Sequence, residues 1–462
     1  MNGPRFLLVN PWIHDFAAYN LWIRPLGLLY LHSYLRKLGA STDYVDALHL
    51  HAEDARRWDL DRPERRDDGT GKFHSERITK PEAYADVPRY YRRYGIPPDV
   101  FRAKLRDLDP PDAIFVTSGM TYWYPGVRET ILNLRRIFSA VPIYLGGTYA
   151  SLCPEHAGRE MGADRVVPGP WETALVPILE TDFGLECQRQ HLLFDKLPFP
   201  SSDLYPGDSV AAMRLTRGCP FSCDYCASDR LSPGFEGRSA EGFASEVEWN
   251  AGQGRRDIAL YDDALLVNTD RLLVPALDEV LRRDVRCRFH TPNGLHARFM
   301  TDGVARLFRR SSFSTVRLSF ESVAGRARDA SDGKAAPDDL VRAMAALSDA
   351  GYARSDIGVY MLIGLPGQDE DTIRRTAEFI HEQGAIIRLA QYSPIPGTPM
   401  FESDWQHAKE LAQEPLYHNS TIAPGWDFEM ERYEEIKRFA KKLNRMARDR
   451  GGGSGRHGAR NS

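Results

Sequence analysis

The chain lacks most of what would mark an exported, membrane-bound or nucleic-acid-coating protein. No run of 18 or more apolar residues occurs, so no spanning helix is expected. After Arg5 the apolar run Phe6-Leu7-Leu8-Val9 stops at Asn10-Pro11, too soon for the core of a leader peptide. A basic surplus is missing as well. Sixty Lys and Arg stand against 64 Asp and Glu, a net charge of −4, whereas a protein that grips a phosphate backbone needs a positive excess somewhere. Cysteine is scarce, six in 462 residues, which leaves no disulfide framework. What remains is an ordinary globular composition, 42% hydrophobic and 27% charged, and a cytoplasmic location is expected.

The pattern along the chain predicts an α/β protein. Arg5–Asn10 reads as a buried strand, and Leu28, Leu31, Leu35 and Leu38 then share a helical face that Gly39 ends. Further strands are expected at Thr42–Leu48, Ala113–Ser118, Ile143–Leu145 and Arg165–Val167, with a helix carrying Val127, Ile131, Leu134 and Phe138. Strands alternating with amphipathic helices imply a parallel, doubly wound sheet over residues 1–183. Residues 49–112 break the pattern and read as a charged, partly helical insertion with no core of its own. Its Tyr84, Tyr90, Tyr91 and Tyr94 lie among Arg89, Arg92 and Arg93, which suits a solvated flank or a cover that grips a ligand. Residues 184–211, with Pro198, Pro200 and Pro206, read as a linker.

A second alternating series follows over 212–400. Its strands are expected at Ala212–Thr216, Asp257–Tyr261, Arg288–Thr291, Thr315–Phe320, Ile357–Ile363 and Ile387–Tyr392. Six such repeats suit a partial (β/α)6 barrel, whose chemistry belongs at the C-terminal ends of the strands. Residues 401–450 read as helical, and the Gly-, Arg- and Ser-rich tail 451–462 as disordered.

Three of the six cysteines fall within eight residues, directly after the first strand of the second series. Arg217-Gly218-Cys219-Pro220-Phe221-Ser222-Cys223-Asp224-Tyr225-Cys226 is a C-x₃-C-x₂-C motif. Soft thiolates select iron–sulfur clusters or zinc. Zinc loops usually pair two C-x₂-C hooks, and no second hook exists. Three thiolates on one loop can instead hold three corners of an iron–sulfur cube, leaving one iron open for a substrate. Cys153, Cys187 and Cys287 stand alone and read as plain buried thiols.

This motif resembles that of the radical S-adenosylmethionine (SAM) superfamily, in the branch whose barrel is shared with methylthiotransferases and coproporphyrinogen oxidases. The resemblance continues at successive strand ends: Tyr261-Asp262-Asp263, Pro292-Asn293-Gly294, Ser319-Phe320-Glu321-Ser322, Gly364-Leu365-Pro366-Gly367-Gln368 and Tyr392-Ser393-Pro394-Ile395-Pro396-Gly397-Thr398. It implies that Cys219, Cys223 and Cys226 bind a 4Fe-4S cluster whose open iron chelates SAM. Reductive cleavage of SAM to a deoxyadenosyl radical would then draw on an external flavodoxin or ferredoxin. By position, Asn293 and Glu321 would contact the methionine or ribose part of SAM, and Tyr225, Gly364 and Ile395 would line its adenine.

The first domain resembles the cobalamin-binding domain of cobalamin-dependent members of that superfamily. Asn10-Pro11, Pro25-Leu26-Gly27-Leu28, Val116-Thr117-Ser118-Gly119-Met120-Thr121 and Leu145-Gly146-Gly147 carry the likeness. Small residues at strand ends let a nucleotide tail approach the backbone, and Ser118, Thr121, Gly146 and Gly147 are the candidate cobalamin contacts. Two departures stand out. The D-x-H-x-x-G motif that supplies an axial histidine is absent, His14 occurring only within Ile13-His14-Asp15, and the loop after the fifth strand reads Gly169-Pro170-Trp171-Glu172. The leading expectation is cobalamin-dependent methylation or remodelling of an unactivated carbon on a small-molecule, lipid or peptide substrate. A second reading keeps the radical step without cobalamin, as a cyclisation, rearrangement or oxidation. A third, from another class, is a non-catalytic metal- or nucleotide-binding sensor.

Overall fold

The computed structural model describes residues 3–333, 335–403, 408–422 and 430–451. The expectation of disorder for the tail beyond Gly451 lies outside the described residues.

Alternation within Arg5–Asn10 sends Phe6 and Leu8 to one face and Leu7 and Val9 to the other, and all four are fully buried. A strand apolar on both faces belongs in the middle of a helix-covered parallel sheet. That strand, β1 (Arg5–Asn10), pairs in parallel with β2 (Ser41–Asp46) on one side and β3 (Ala113–Val116) on the other. β4 (Ile143–Leu145) and β5 (Arg165–Val166) extend the sheet, giving the order β5-β4-β3-β1-β2. The order reverses between β1 and β3, and in such sheets ligands bind in the crevice beyond the strand ends at that reversal. α1 (Leu26–Lys37) packs Leu28, Leu31, Tyr34 and Leu35 on the Phe6 face. On the Leu7 face lie α2 (Pro98–Arg106), with Val100, Phe101 and Leu105, and α3 (Tyr124–Ile137), with Val127, Ile131 and Leu134.

The segment 49–112 differs from the expectation of a coreless insertion. α2 is the crossover helix between β2 and β3 and belongs to the sheet's own core. Tyr84, Tyr91 and Tyr94 are buried, and Tyr84 and Tyr91 share an apolar cluster with Phe16, Val87 and Leu416; only Tyr90 faces solvent. Residues 92–94 also form the centre of a small antiparallel sheet, pairing with Ile13–Asp15 on one side and with residues 75–77 on the other. Aromatic density here provides core area, which a charge-rich reading of the sequence concealed.

The second unit is an arc of six strand positions. β6 (Val210–Met213), β7 (Asp257–Leu260), β8 (Arg288–His290) and β9 (Phe313–Thr315) pair in parallel. After Val316 the chain continues as β10 (Arg317–Glu321), which starts a second parallel run with β11 (Gly358–Ile363) and β12 (Ile386–Gln391). The first strand ends earlier than expected: Thr216–Gly218 leaves it to form an antiparallel pair with Phe235–Gly237. Met213, Ile258, Leu260, Phe289, Leu318 and Val359 face the outer helices, which bury them in one core. Helix starts among these are fixed by side chains: Ser239, Thr301 and Asp369 each accept a backbone N–H from the first turn.

The two units interlock. Residues 19–20 and 71–72 form a short ribbon, and Trp22, next along it, packs against Val210 and Ala259 on the inward face of the barrel. Trp22 is 1% exposed and adopts φ +64°, a strained backbone for an aromatic residue that the surroundings must hold in place. Its indole donates to Asp68 O at 2.6 Å, and Tyr261 Oη donates to Leu21 O at 2.5 Å.

Candidate functional site

The cysteine loop leaves the end of β6 through a turn that only glycine permits. Gly218 has φ +79°, and a Cβ there would stand 2.0 Å from Gly234 O. Asp262, at the end of β7, holds the start of the loop by accepting from the backbone N–H of Leu215 (3.1 Å) and Thr216 (2.5 Å) and from the Thr216 hydroxyl (2.7 Å). Burial pushes its carboxyl up to about 6, against the pull of those donors. Farther along, Asp224 N–H donates to Ala330 O at 2.9 Å, and Ser222 N–H to the Asp332 carboxylate at 3.1 Å. Phe221 stacks near His296, with centroids 4.6 Å apart, and the Arg298 guanidinium lies 4.8 Å from the Phe221 ring. The loop is therefore clamped on both sides.

Cys223 is buried with its sulfur 3.4 Å from Ser331 O, while Cys219 and Cys226 are half-buried, the latter with its sulfur 3.2 Å from Ser228 Oγ. Among the described residues, no three His, Cys, Asp or Glu side chains converge on a single point as around one ion. Corner ligands of a cube have no need to do so, because each meets a different iron. The isolated thiols behave otherwise: burial pushes Cys153 and Cys287 up to about 12, where they stay protonated and inert.

Of the five residues expected to contact SAM, Tyr225 lies on the cysteine loop, and Asn293, Glu321, Gly364 and Ile395 lie at or just beyond the ends of β8, β10, β11 and β12. Tyr225 packs with Leu362, Leu365, Tyr392 and Met400 at the ends of β11 and β12, and burial raises its phenol, with Glu321, Cys223 and Cys226 adding to the rise. Glu321 sits at a register shift between β10 and β11 with φ +69°, and accepts from Ser319 Oγ at 2.7 Å. A bulge that aims a buried carboxylate through a strained backbone is typical of a working position. Gly364 also has a positive φ, +82°, and its N–H donates to Gln368 Oε1 at 2.9 Å. Gln368 closes that turn by donating to Leu362 O at 2.9 Å, a positioning role. The Ile395 carbonyl is occupied by Thr398 Oγ1 at 2.9 Å within its own turn. Asn293 is set by a 2.9 Å donation to Asp262 O.

Beyond the sheet of the first unit lies a cavity of about 1010 Å³. That is the upper end of the range for sites of drug-sized ligands, about 300–1,000 Å³. Its walls come from both units: Asn10–Ile13, Ile23–Leu28, Val116–Gly119 and Gly146–Thr148 on one side, and Arg214, Arg217, Ser228, Leu231, Tyr261 and Asp263 on the other. The cavity thus occupies the β1/β3 crevice and reaches the segment just after Cys226. Gly27 and Gly169 line it, and a Cβ at either would meet nothing within 4 Å, so the cradle has room a side chain would fill. Gly147 is required for another reason: at φ +92°, a Cβ would stand 2.4 Å from Ser118 O.

Ser118, Gly146 and Gly147, the expected cobalamin contacts, line this cavity, and the Ser118 hydroxyl is spent on Gly146 O at 2.6 Å. Thr121 does not line it: its hydroxyl lies 2.9 Å from His418 Nδ1, joining the first unit to the C-terminal segment. His14 is likewise outside it, 2.8 Å from Glu129 on α3. Glu172, from the atypical loop after β5, lines the cavity and pairs with Arg217 beside the cysteines at 2.5 Å. That link crosses the two units, and no local sequence signal announces it.

Residues 213–380 match the model of the Radical SAM superfamily. An uncharacterized methyltransferase of Pyrococcus horikoshii is 23% identical over 334 residues, which cover 65% of this chain and 71% of that protein. Among solved structures, the fold is similar to that of TsrM, a radical S-adenosylmethionine methyltransferase from Kitasatospora setae described with tryptophan substrate and a SAM analog bound. The TM-score is 0.62 at 16% identity, over 86% of this chain and 75% of that one. OxsB, a cobalamin-dependent S-adenosylmethionine radical enzyme, gives a TM-score of 0.58 at 14% identity, over 92% of this chain and 56% of that one. The last two likenesses concern the fold.

Proposed function

Because this chain carries a radical SAM domain at residues 213–380, we propose that it is a cobalamin-dependent radical SAM methyltransferase acting on an unactivated carbon. The observation that carries this reading is the shared cavity, which spans the sheet's crevice and the barrel rim beside the cysteine loop. The residues fit both groups. Cys219, Cys223 and Cys226 lie on one clamped loop and would hold a 4Fe-4S cluster, and the glycine-lined crevice has the room and the small residues a corrin with a nucleotide tail requires. When bound, the cluster and cobalamin would supply reductive SAM cleavage and methyl transfer, respectively.

The chain's own residues prepare the ground for that chemistry. Asp262 and Gly218 fix where the cysteine loop begins, and Glu321, Asn293 and the Gly364 turn hold polar and backbone groups around it for SAM. Trp22 packs on the barrel's inward face against Val210 and Ala259, which supports a substrate position at the rim between the units. An external flavodoxin- or ferredoxin-type protein would supply the electron.

The test is anaerobic. The cluster is reconstituted, hydroxocobalamin is added, and the protein peak from gel filtration is scanned for absorption. Near-stoichiometric cobalamin beside the cluster's broad band is expected, making S-adenosylhomocysteine the product to seek. Cluster without cobalamin would discard the methyltransferase reading and turn the search to one-SAM radical rearrangements.

A further inference from the structure

Four arginines line the cavity between the units, and their partners differ. Arg24 is paired with Asp208, and Arg217 with Glu172 and Glu236. Arg189 is exposed to solvent. Arg214 is half-buried, its Nε is enclosed without a hydrogen-bond partner, and no ion pair joins it to a carboxylate among the described residues. The nearest acid in sequence register, Asp262, feels the Arg214 charge at a distance, but its carboxylate accepts its hydrogen bonds from Leu215 and Thr216.

Enclosing a guanidinium Nε without a hydrogen-bond partner is costly, and no carboxylate among the described residues pairs with Arg214 to offset that cost. Its place is informative. Arg214 follows directly on β6 and stands five residues before Cys219, on the barrel side of a cavity whose opposite wall is the glycine cradle. A group that satisfies it must reach from the cavity toward the barrel rim. Guanidinium presents a planar fork of donors suited to carboxylate or carbonyl oxygens.

We propose that Arg214 is a ligand-binding residue that holds an oxygen acceptor across the seam between the two units. Two sources carry that chemistry, a side-chain amide of the corrin and the carboxylate of SAM. The inference rests on the proposed function but singles out a residue outside its motifs.

The test measures binding, apart from turnover. Cluster-loaded wild type, Arg214→Gln and Arg214→Lys are compared by anaerobic equilibrium dialysis against hydroxocobalamin and, separately, against SAM, with melting temperatures recorded for each. A charge-assisted hydrogen bond contributes enough that Arg214→Gln is expected to weaken one of the two ligands about tenfold or more. Arg214→Lys, which keeps the charge but loses the fork, is expected to fall between. Weakening of cobalamin alone assigns the corrin amide, and of SAM alone the carboxylate. Unchanged affinity for both ligands in the two variants overturns the proposal. If wild type takes up SAM but no cobalamin, the cobalamin reading fails while the SAM arm still decides the role of Arg214.

Discussion

Trp22 stacks on His290 with ring centroids 4.4 Å apart and planes 24° from parallel, so a residue of the first unit sits on a strand of the second. His290 is in turn held by Asp257 at 2.9 Å through Nε2 and by Thr315 at 3.0 Å through Nδ1. Trp22 therefore rests on a platform fixed from both edges. The strap it belongs to continues into Ile23–Leu28, which line the cavity, so the barrel interior and the crevice share one stretch of chain.

Trp22→Ala is expected to cost about 3–5 kcal/mol, the usual range for deleting a buried large aromatic, and Trp22→Phe clearly less. Thermal unfolding followed by circular dichroism is the check. Melting temperatures equal to wild type in both variants would show that the strap carries no structural weight.

Cys223→Ala is expected to abolish cluster retention, whereas Cys153→Ala and Cys287→Ala retain it. The reason is placement: Cys223 lies on the clamped loop, and the other two, Cys153 buried and Cys287 half-buried, are isolated thiols whose loss of solvent keeps them protonated. Iron and sulfide analysis after anaerobic reconstitution distinguishes them. Loss of iron from the Cys287 variant to the same degree as from Cys223→Ala would contradict the assignment.

His418 gives the fold an acid-sensitive joint. It is fully buried between Thr121 Oγ1 and Leu411 O, and burial lowers its imidazole to about 4. The neutral form is the one the fold accepts, so its contribution is complete above the ordinary value near 6.5 and is lost as pH falls from there through about 4. Up to about 3 kcal/mol is at stake over that window. Urea titrations at pH 7, 6 and 5 are expected to show wild type losing stability relative to His418→Gln. Parallel pH dependence in the two proteins would remove His418 as the cause.

His14→Ala is expected to leave cobalamin retention and the visible spectrum of the bound cofactor unchanged. His14 lies against Glu129, with Arg93 on the same carboxylate, and takes no part in the cavity wall. A shifted spectrum in the variant would mean that His14 reaches the cofactor after a rearrangement.

The cysteine loop was legible because its chemistry depends on spacing within eight residues, and spacing is a property of the sequence. Both parallel sheets were legible for a similar reason: runs such as Phe6–Val9 must be buried on two faces, and that constraint is local. Even so, β6 stops at Met213 because Asp262, 49 residues away, draws Leu215 and Thr216 out of the strand. Tertiary structure alone decided the rest. Tyr84 and Tyr91 became core because Phe16 and Leu416, far apart in sequence, enclose them. Thr121 was drawn to His418 and away from the cavity. Arg214 gained its interest only when the cavity appeared around it and its neighbouring arginines proved to be paired. Sequence determines which residues are available and how far apart they stand along the chain. Which of them meet across a seam depends on packing between distant segments, whose free energy no local window contains.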